Sequence, residues 1–524
     1  MAAAGRRTFF VSVHFFSREG IISSLQSRLL VRIAQVLVAL VLCYFTAALL
    51  FVTFSRIAYP FGLEWLEGAS LIQVHRILAG QPLYTRPSLD YIALLYSPLY
   101  FYLSALVAKL IGFGFLPLRL VSFLSSLGCA ALIYGWVRKH TAGFYVPLMA
   151  AGSFLATYKL GGAWFDIARV DMLALCLLLC AVYLIEGRTI FHLLLAGAAM
   201  SLASLTKQTY LILALPLLVY GFSIHRARVL LVLVASLVVS GIAHLWLNAT
   251  SNGWYSFFVY GLAFNQIGTM FSRGISHFVL GYWKGPILKS VPVMLLFCGL
   301  YFVLKRREYL RLLGMLALAG GMIAFSWWGI VNRGGYNNVL IPSYAILVMF
   351  SWLLIDEVLK NAAISNPARA GVLLIYGLQL LWLMYPIAEQ IPTGRDLQAA
   401  QVLLQQVRSH PGDVYLPYDN YLGLYAGKKT FANYAAYGDL GLGASESAHR
   451  ERDRVSAQLA TAIRDQDFSW IVLDQRITLP ALDRYYESSL IRYSQDELLP
   501  VTGWQWRPIL SYVPRGSPSL RIQP

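Results

Sequence analysis

Apolar residues fall along this chain in long blocks rather than in short alternations, and the blocks predict helices. The first block covers about 33–54 and is as long as the ~20 residues that a bilayer crossing needs. Further blocks lie at about 92–111, 118–137, 143–160, 170–186, 190–205, 209–223, 229–247, 286–304, 312–331, 339–357 and 371–388. Beyond 388 the pattern changes. Leu397, Ala400, Leu403, Leu404 and Val407 share one face of an expected helix, and a second amphipathic helix is expected at 448–465. Asp413–Pro417 and Trp470–Asp474 read as short buried strands. At about 135 residues this tail is large enough to bury a core of its own. The predicted organisation is a cytoplasmic segment 1–32, a transmembrane part 33–388 and a C-terminal extracytoplasmic α/β domain 389–524.

Twelve crossings would place both termini on one side, and the basic residues argue against that. Clusters at Arg138-Lys139-His140, Arg188, His225–Arg228, Lys305–Arg307 with Arg311, and Lys360 with Arg369 would then face outward. If 92–111 does not cross, all of them move to the cytoplasmic side, where basic loops are retained. That segment is rich in tyrosine and interrupted by Pro98, which suits the membrane interface. The expected fold class is a polytopic α-helical membrane protein with about eleven transmembrane helices. Its first outer loop, 55–117, would carry juxtamembrane helices.

Composition agrees with this picture. Hydrophobic residues make up 58% and charged residues 13%, too few charges for a soluble multidomain enzyme, a disordered chain or a coiled coil. The net charge of +17 lies in the membrane part, since residues 389–524 hold 14 basic and 15 acidic residues. Such a distribution fits cytoplasmic loops rather than nucleic-acid binding. The five cysteines all sit in apolar segments without a metal-binding spacing.

Only ten acidic residues precede position 389, and five of them, Glu64, Glu67, Asp90, Asp166 and Asp171, fall on the outer side. Glu64 and Glu67 follow the helix-breaking Pro60 and Gly62 and precede an amphipathic stretch that stops at Gly80 and Pro82. Like charges three residues apart, partly buried, raise one another's pKa as a general base requires. The alternative is a pair of interface anchors. Asp166, Arg169 and Asp171 form either a helix-start ion network or a group that positions an acceptor or a metal. Lys207 and Arg333 occupy tight outer turns, either snorkelling to the interface or holding a lipid phosphate, with Arg76 and Arg86 weaker candidates. No nucleotide loop, dinucleotide fingerprint, metalloprotease helix or serine triad is present, so the reactive bond has to arrive with the substrate.

The stretch Glu64–Arg119 resembles the GT-C class of integral-membrane glycosyltransferases. It combines the acidic motif, Leu78–Tyr84, the aromatic-proline run Tyr96–Tyr102 and Arg119–Ser122. The start at Asp171, the Lys207 hairpin and the Tyr336–Pro342 turn match as well. The likeness is greatest to the bacterial branch of protein O-mannosyltransferases and lipid A aminoarabinose transferases. It implies an inner-membrane enzyme that moves a sugar from a polyprenyl-phosphate donor, with inversion, to an acceptor glycan, lipid or protein hydroxyl on the outer face. It also implies a first-loop carboxylate as base, with Glu67 the first choice and Glu64 its competitor because Leu66 departs from the usual adjacent acidic pair. Asp166 or Asp171 would serve as the second-loop acid, and Lys207, Arg333 and Tyr336 would lie on the donor-phosphate side. No metal or other cofactor is expected, and Glu67→Gln is expected to abolish transfer with folding intact. A lipid or solute transporter and a non-catalytic lipid-sugar-binding scaffold are the competing readings.

Overall fold

One helix organises the bundle. Ile341–Lys360 buries every residue from Ile341 to Asp356, so it is surrounded on all sides by other helices. The computed structural model describes residues 18–262, 287, 289–305, 309–331, 335–442, 445–475, 479, 481–491 and 497–516. Each apolar block contains a helix. In chain order the first nine are α1 (Arg18–Arg56), α2 (Glu67–Leu78), α3 (Leu99–Ile111), α4 (Phe115–His140), α5 (Tyr145–Ala156), α6 (Asp171–Leu184), α7 (Ile190–Thr206), α8 (Ala214–His225) and α9 (Leu230–Thr250). Pro292–Leu304, Tyr309–Val331, Ile341–Lys360 and Asn366–Leu381 follow.

Among the described residues, five helical stretches are long and apolar enough to cross a membrane: Gln26–Arg56, Phe115–His140, Gln208–Thr250, Tyr309–Val331 and Asn337–Lys360. The surface says what solvent they meet. On α9 only Val232 and Leu247 are buried, while Leu237, Ile242, Leu245 and Trp246 are exposed. An apolar helix with so little protein cover needs lipid around it. The chain is an integral membrane protein. α3 starts directly after Pro98 and has 13 residues, about 20 Å of helix against a hydrocarbon core of about 30 Å.

Among the described residues, carboxylates and basic side chains gather at opposite helix ends. Asp171 opens α6, whereas Glu186 lies just beyond its last turn and contacts His140 at 2.8 Å. Lys305 pairs with Glu357 and Lys360 with Asp356.

Residues after 388 fold back onto the first loop. The helices Gly394–Ser409 and Glu446–Arg464 flank a four-stranded sheet ordered β1 (Asp413–Tyr415), β2 (Phe468–Leu473), β4 (Leu510–Pro514), β3 (Tyr486–Leu490). β1 and β2 are parallel, and the other two pairings are antiparallel. One hydrophobic cluster runs from Phe61, Leu71, Tyr91 and Tyr100 in the first loop to Leu403, Tyr421 and Trp470 in the tail. Gly68 makes this approach possible, because a Cβ there would lie 2.3 Å from the Tyr421 ring. Arg86–Glu451 at 2.9 Å and Lys429–Asp90 at 2.9 Å tie the same two regions at the surface.

Candidate active site

The loop 163–171 collects four of the candidate acids into one network. Each carboxylate meets a cation, but on different terms.

Glu67 is saturated. Arg119 donates to it twice, Nε to Oε1 at 3.1 Å and Nη2 to Oε2 at 2.7 Å. The backbone N–H groups of Ala168 and Leu63 add bonds of 2.6 Å each. Four donors fill the acceptor sites of one carboxylate. Burial opposes ionisation, but the Arg119 charge and these donors outweigh it and hold Glu67 below the usual carboxylate range. Arg119 also grips the Tyr59 and Phe61 carbonyls at 2.6 Å. The pair therefore fastens the irregular segment 57–66 to α4.

Asp166 is also paired with an arginine. Arg56, the last residue of α1, donates to both its oxygens at 2.8 and 2.5 Å, and to the carbonyls of Ala163 and Gln390. Both side chains are fully buried. This pair locks the end of α1, the loop between α5 and α6 and the start of the tail together.

Glu64 differs. Its Oε2 accepts from Leu66 N at 3.1 Å and from Arg169 Nη1 at 3.3 Å, while its Oε1 is buried and has no partner among the described residues. Burial pushes the carboxyl up to about 7; the Arg169 charge resists the rise and the nearby Glu67 charge adds to it. Glu64 borders a narrow cavity of about 60 Å³, opposite Asp396, Asp419 and Asp474.

Arg169 carries the network onward. Its Nη2 donates to the Tyr96 hydroxyl at 2.9 Å. Two residues later, Asp171 Oδ1 accepts from Lys207 Nζ at 2.7 Å and from Asn338 Nδ2 at 2.9 Å, and its Oδ2 is buried without a partner among the described residues. Tyr336 packs against Trp164 at 5.0 Å, and its hydroxyl accepts from Gly503 N at 3.3 Å. Arg76 stands apart. It donates to the Pro82 carbonyl and covers the Tyr91 ring, closing its own turn. Arg333 lies outside the described residues.

The tail forms the other wall. Gly503, at φ +80°, passes so close that a Cβ would lie 2.8 Å from Glu64 Cγ. Trp504 and Trp506 pack on Trp65 at 6.3 and 5.1 Å. Asp439 sits near Arg169 and is pushed up to about 7 by burial. Sequence reasoning gave no role to Arg56 or Arg119, which end and begin apolar helices, nor to Asp419, Asp439, Asp474 or Gly503. Arginine inside an otherwise apolar block was a signal for the first two, and Arg119 also stands in the matching Arg119–Ser122 motif.

A family model described as dolichyl-phosphate-mannose-protein mannosyltransferase matches residues 96–254, less than half of the chain. Among curated proteins none matches the sequence. Of solved structures, ArnT from Cupriavidus metallidurans bound to undecaprenyl phosphate superposes with a TM-score of 0.55 at 15% identity, covering 90% of this chain and 97% of that one. The chain has the GT-C fold. A second GT-C structure agrees. The archaeal oligosaccharyltransferase AglB from Archaeoglobus fulgidus, in complex with an inhibitory peptide and a dolichol-phosphate, gives a TM-score of 0.50 at 12% identity over 83% of this chain and 69% of its own. On the GT-C frame, the carboxylate network belongs to the loops that follow α1, α5 and α7, with α2 and α3 beside it.

Proposed function

We propose that the chain is a glycosyltransferase that takes a sugar from a polyprenyl-phosphate donor and transfers it, with inversion, to an acceptor hydroxyl on the outer face of the membrane. The observation that carries the reading is the state of Glu64. It has a buried oxygen with no partner among the described residues, a pKa near neutrality and a cavity beside it. Fold likeness to structures holding undecaprenyl phosphate and dolichol-phosphate supports the lipid carrier.

In this mechanism the acceptor O–H gives its proton to Glu64 Oε1. The freed electron pair bonds to the anomeric carbon from the side opposite the phosphate, and the carbon–oxygen bond breaks with its electrons on the phosphate. Arg169 holds Glu64 in place and stabilises its anion. Lys207 faces the phosphate. Asp171 takes one of its three N–H donors and fixes the ammonium, leaving donors for the leaving oxyanion. Arg333 and Tyr336 belong to the same side in this reading. Glu67 and Asp166 act as anchors through Arg119 and Arg56. The geometry favours Glu64 over Glu67 because a carboxylate with four donors has no free lone pair for an incoming proton. The same proposal sets eleven crossings, limits of 33–388 for the membrane part, and an outer location for residues 389–524 in a bacterial inner membrane.

The test uses the purified chain in vesicles, labelled sugars on polyprenyl phosphates, and a cell-envelope extract as the acceptor source. Sugar moved onto the extract with release of lipid phosphate supports transfer, and Glu64→Gln should remove it. Sugar carried across the vesicle with its phosphate bond intact would overturn the reading in favour of transport.

A further inference from the structure

The cavity beside Glu64 has a second wall that transfer chemistry alone does not explain. Asp419 follows β1, and Asp474 directly follows β2, the parallel neighbour of β1. Both carboxylates line the cavity, the Asp419 charge acts on Asp474, and among the described residues neither receives a hydrogen bond or a cation. Asp474 is only 9% exposed. The third acid, Asp396, is occupied: it caps its helix through Thr393 and accepts from Leu498 N at 2.9 Å. No lysine or arginine lines the cavity among the described residues.

Aromatic rings make up much of the remainder. Trp506 stands 5.1 Å from Trp65 and 5.5 Å from Tyr418, nearly perpendicular to the latter, and the Tyr418 hydroxyl is held by Gln475 at 2.7 Å. Burial raises Asp419 to about 6 and Asp474 well above the ordinary carboxylate range, so near neutral pH Asp419 accepts while a protonated Asp474 both donates and accepts, and the fixed rings offer flat apolar faces. Carbohydrates combine both needs, with hydroxyl edges and C–H faces. The free space of about 60 Å³ exceeds what one water requires and admits the hydroxyl-bearing edge of a ring. A phosphate or uronate would meet like charge. A metal ion lacks a donor set, since no three His, Cys, Asp or Glu side chains cluster suitably among the described residues.

We propose that this chamber is the acceptor subsite and that its ligand is a neutral or amine-bearing saccharide, held by Asp419 and Asp474 against Trp506 with one hydroxyl turned to Glu64. The inference rests on Glu64 as base and narrows the acceptor to a glycan that carries no negative charge at the bound ring.

Binding can be read without catalysis. Saturation-transfer NMR on the full chain in detergent, with methyl β-glucopyranoside, glucosamine and glucuronate as probes, should give signals for the first two and none for the third. Asp419→Asn with Asp474→Asn should weaken binding about ten-fold or more, the scale of lost hydrogen bonds to charged groups. Trp506→Ala should weaken it too, and serves as the second variant if the double change disturbs folding. Equal binding of glucuronate, displacement of sugar by calcium, or unchanged binding in these variants overturns the proposal. Glu64→Gln separates the two readings. Transfer surviving in that variant defeats the base assignment, whereas sugar binding is judged only by the aspartates and Trp506.

Discussion

Two glutamates three residues apart end in different electrostatic states, and the partners of each decide which one can accept a proton. Breaking the fully buried Glu67–Arg119 pair from either side leaves an uncompensated charge, so Glu67→Ala or Arg119→Ala should cost about 3–5 kcal/mol and show as lost expression or an early detergent melt. Glu64→Gln, by contrast, removes a carboxylate that is already costly to ionise. It should fold at least as well as the parent and lose transfer. If Glu67→Gln proves stable and inactive while Glu64→Gln stays active, the roles are reversed. The pH dependence has a definite sign. Glu64 in the folded chain sits at about 7, above its ordinary 4.5, so the base form and the transfer rate grow as pH rises through 7 and level off beyond it. Stability runs the other way. The contribution from Glu64 is full below its unfolded value and is lost as pH climbs through about 7. Asp419, near 6, and Asp439, near 7, push stability in the same direction. The difference between parent and Glu64→Gln in paired pH–rate and melting profiles therefore isolates the glutamate.

Elements show where sequence reading succeeds and where it stops. Blocks of apolar residues form helices because each must satisfy its backbone internally in lipid, and so every block that the pattern marks contains one. The tyrosine-rich segment around Pro98 yields only the short α3, as the proline requires. The strand at 470–473 and the helix at 446–464 were likewise legible from their spacing. Pairings across 52 and 110 residues were not, because nothing local tells Glu67 that Arg119 waits for it, or Asp166 that Arg56 does. The segment 497–508 was also hidden. It has no periodicity, yet it lays Gly503 against Glu64. Gly503→Ala would force a side chain into a left-handed conformation, about 1–2 kcal/mol by itself, and push the new methyl onto Glu64 Cγ. Transfer by this variant should fall more than stability does. Side-by-side initial rates and melting midpoints would show it, and equal losses in both would reduce Gly503 to a packing role.

At the scale of the whole molecule, the site depends on which side of the membrane the network faces. Acids at the start of α6 and bases near its far end divide the bundle into two chemically unlike ends. Among the described residues, His140, Lys305 and Arg311 gather at the end away from Glu64, and the nearly neutral tail packs over the end that holds it. Basic loops resist translocation whereas a neutral folded domain crosses readily, so the tail should be outside and the basic end inside. Single reporters can decide this. Ser447 and Arg188 are both exposed and lie at the two ends. In a background with the native cysteines replaced, Ser447→Cys should react with a membrane-impermeant maleimide on intact cells, and Arg188→Cys only after permeabilisation. Labelling of both from one side would mean that the crossings between 188 and 447 do not sum to an odd number. Reaction of Ser447→Cys only after permeabilisation would put the Glu64 cavity and its proposed saccharide-binding wall in the cytosol, where a donor delivered to the outer leaflet could not reach them.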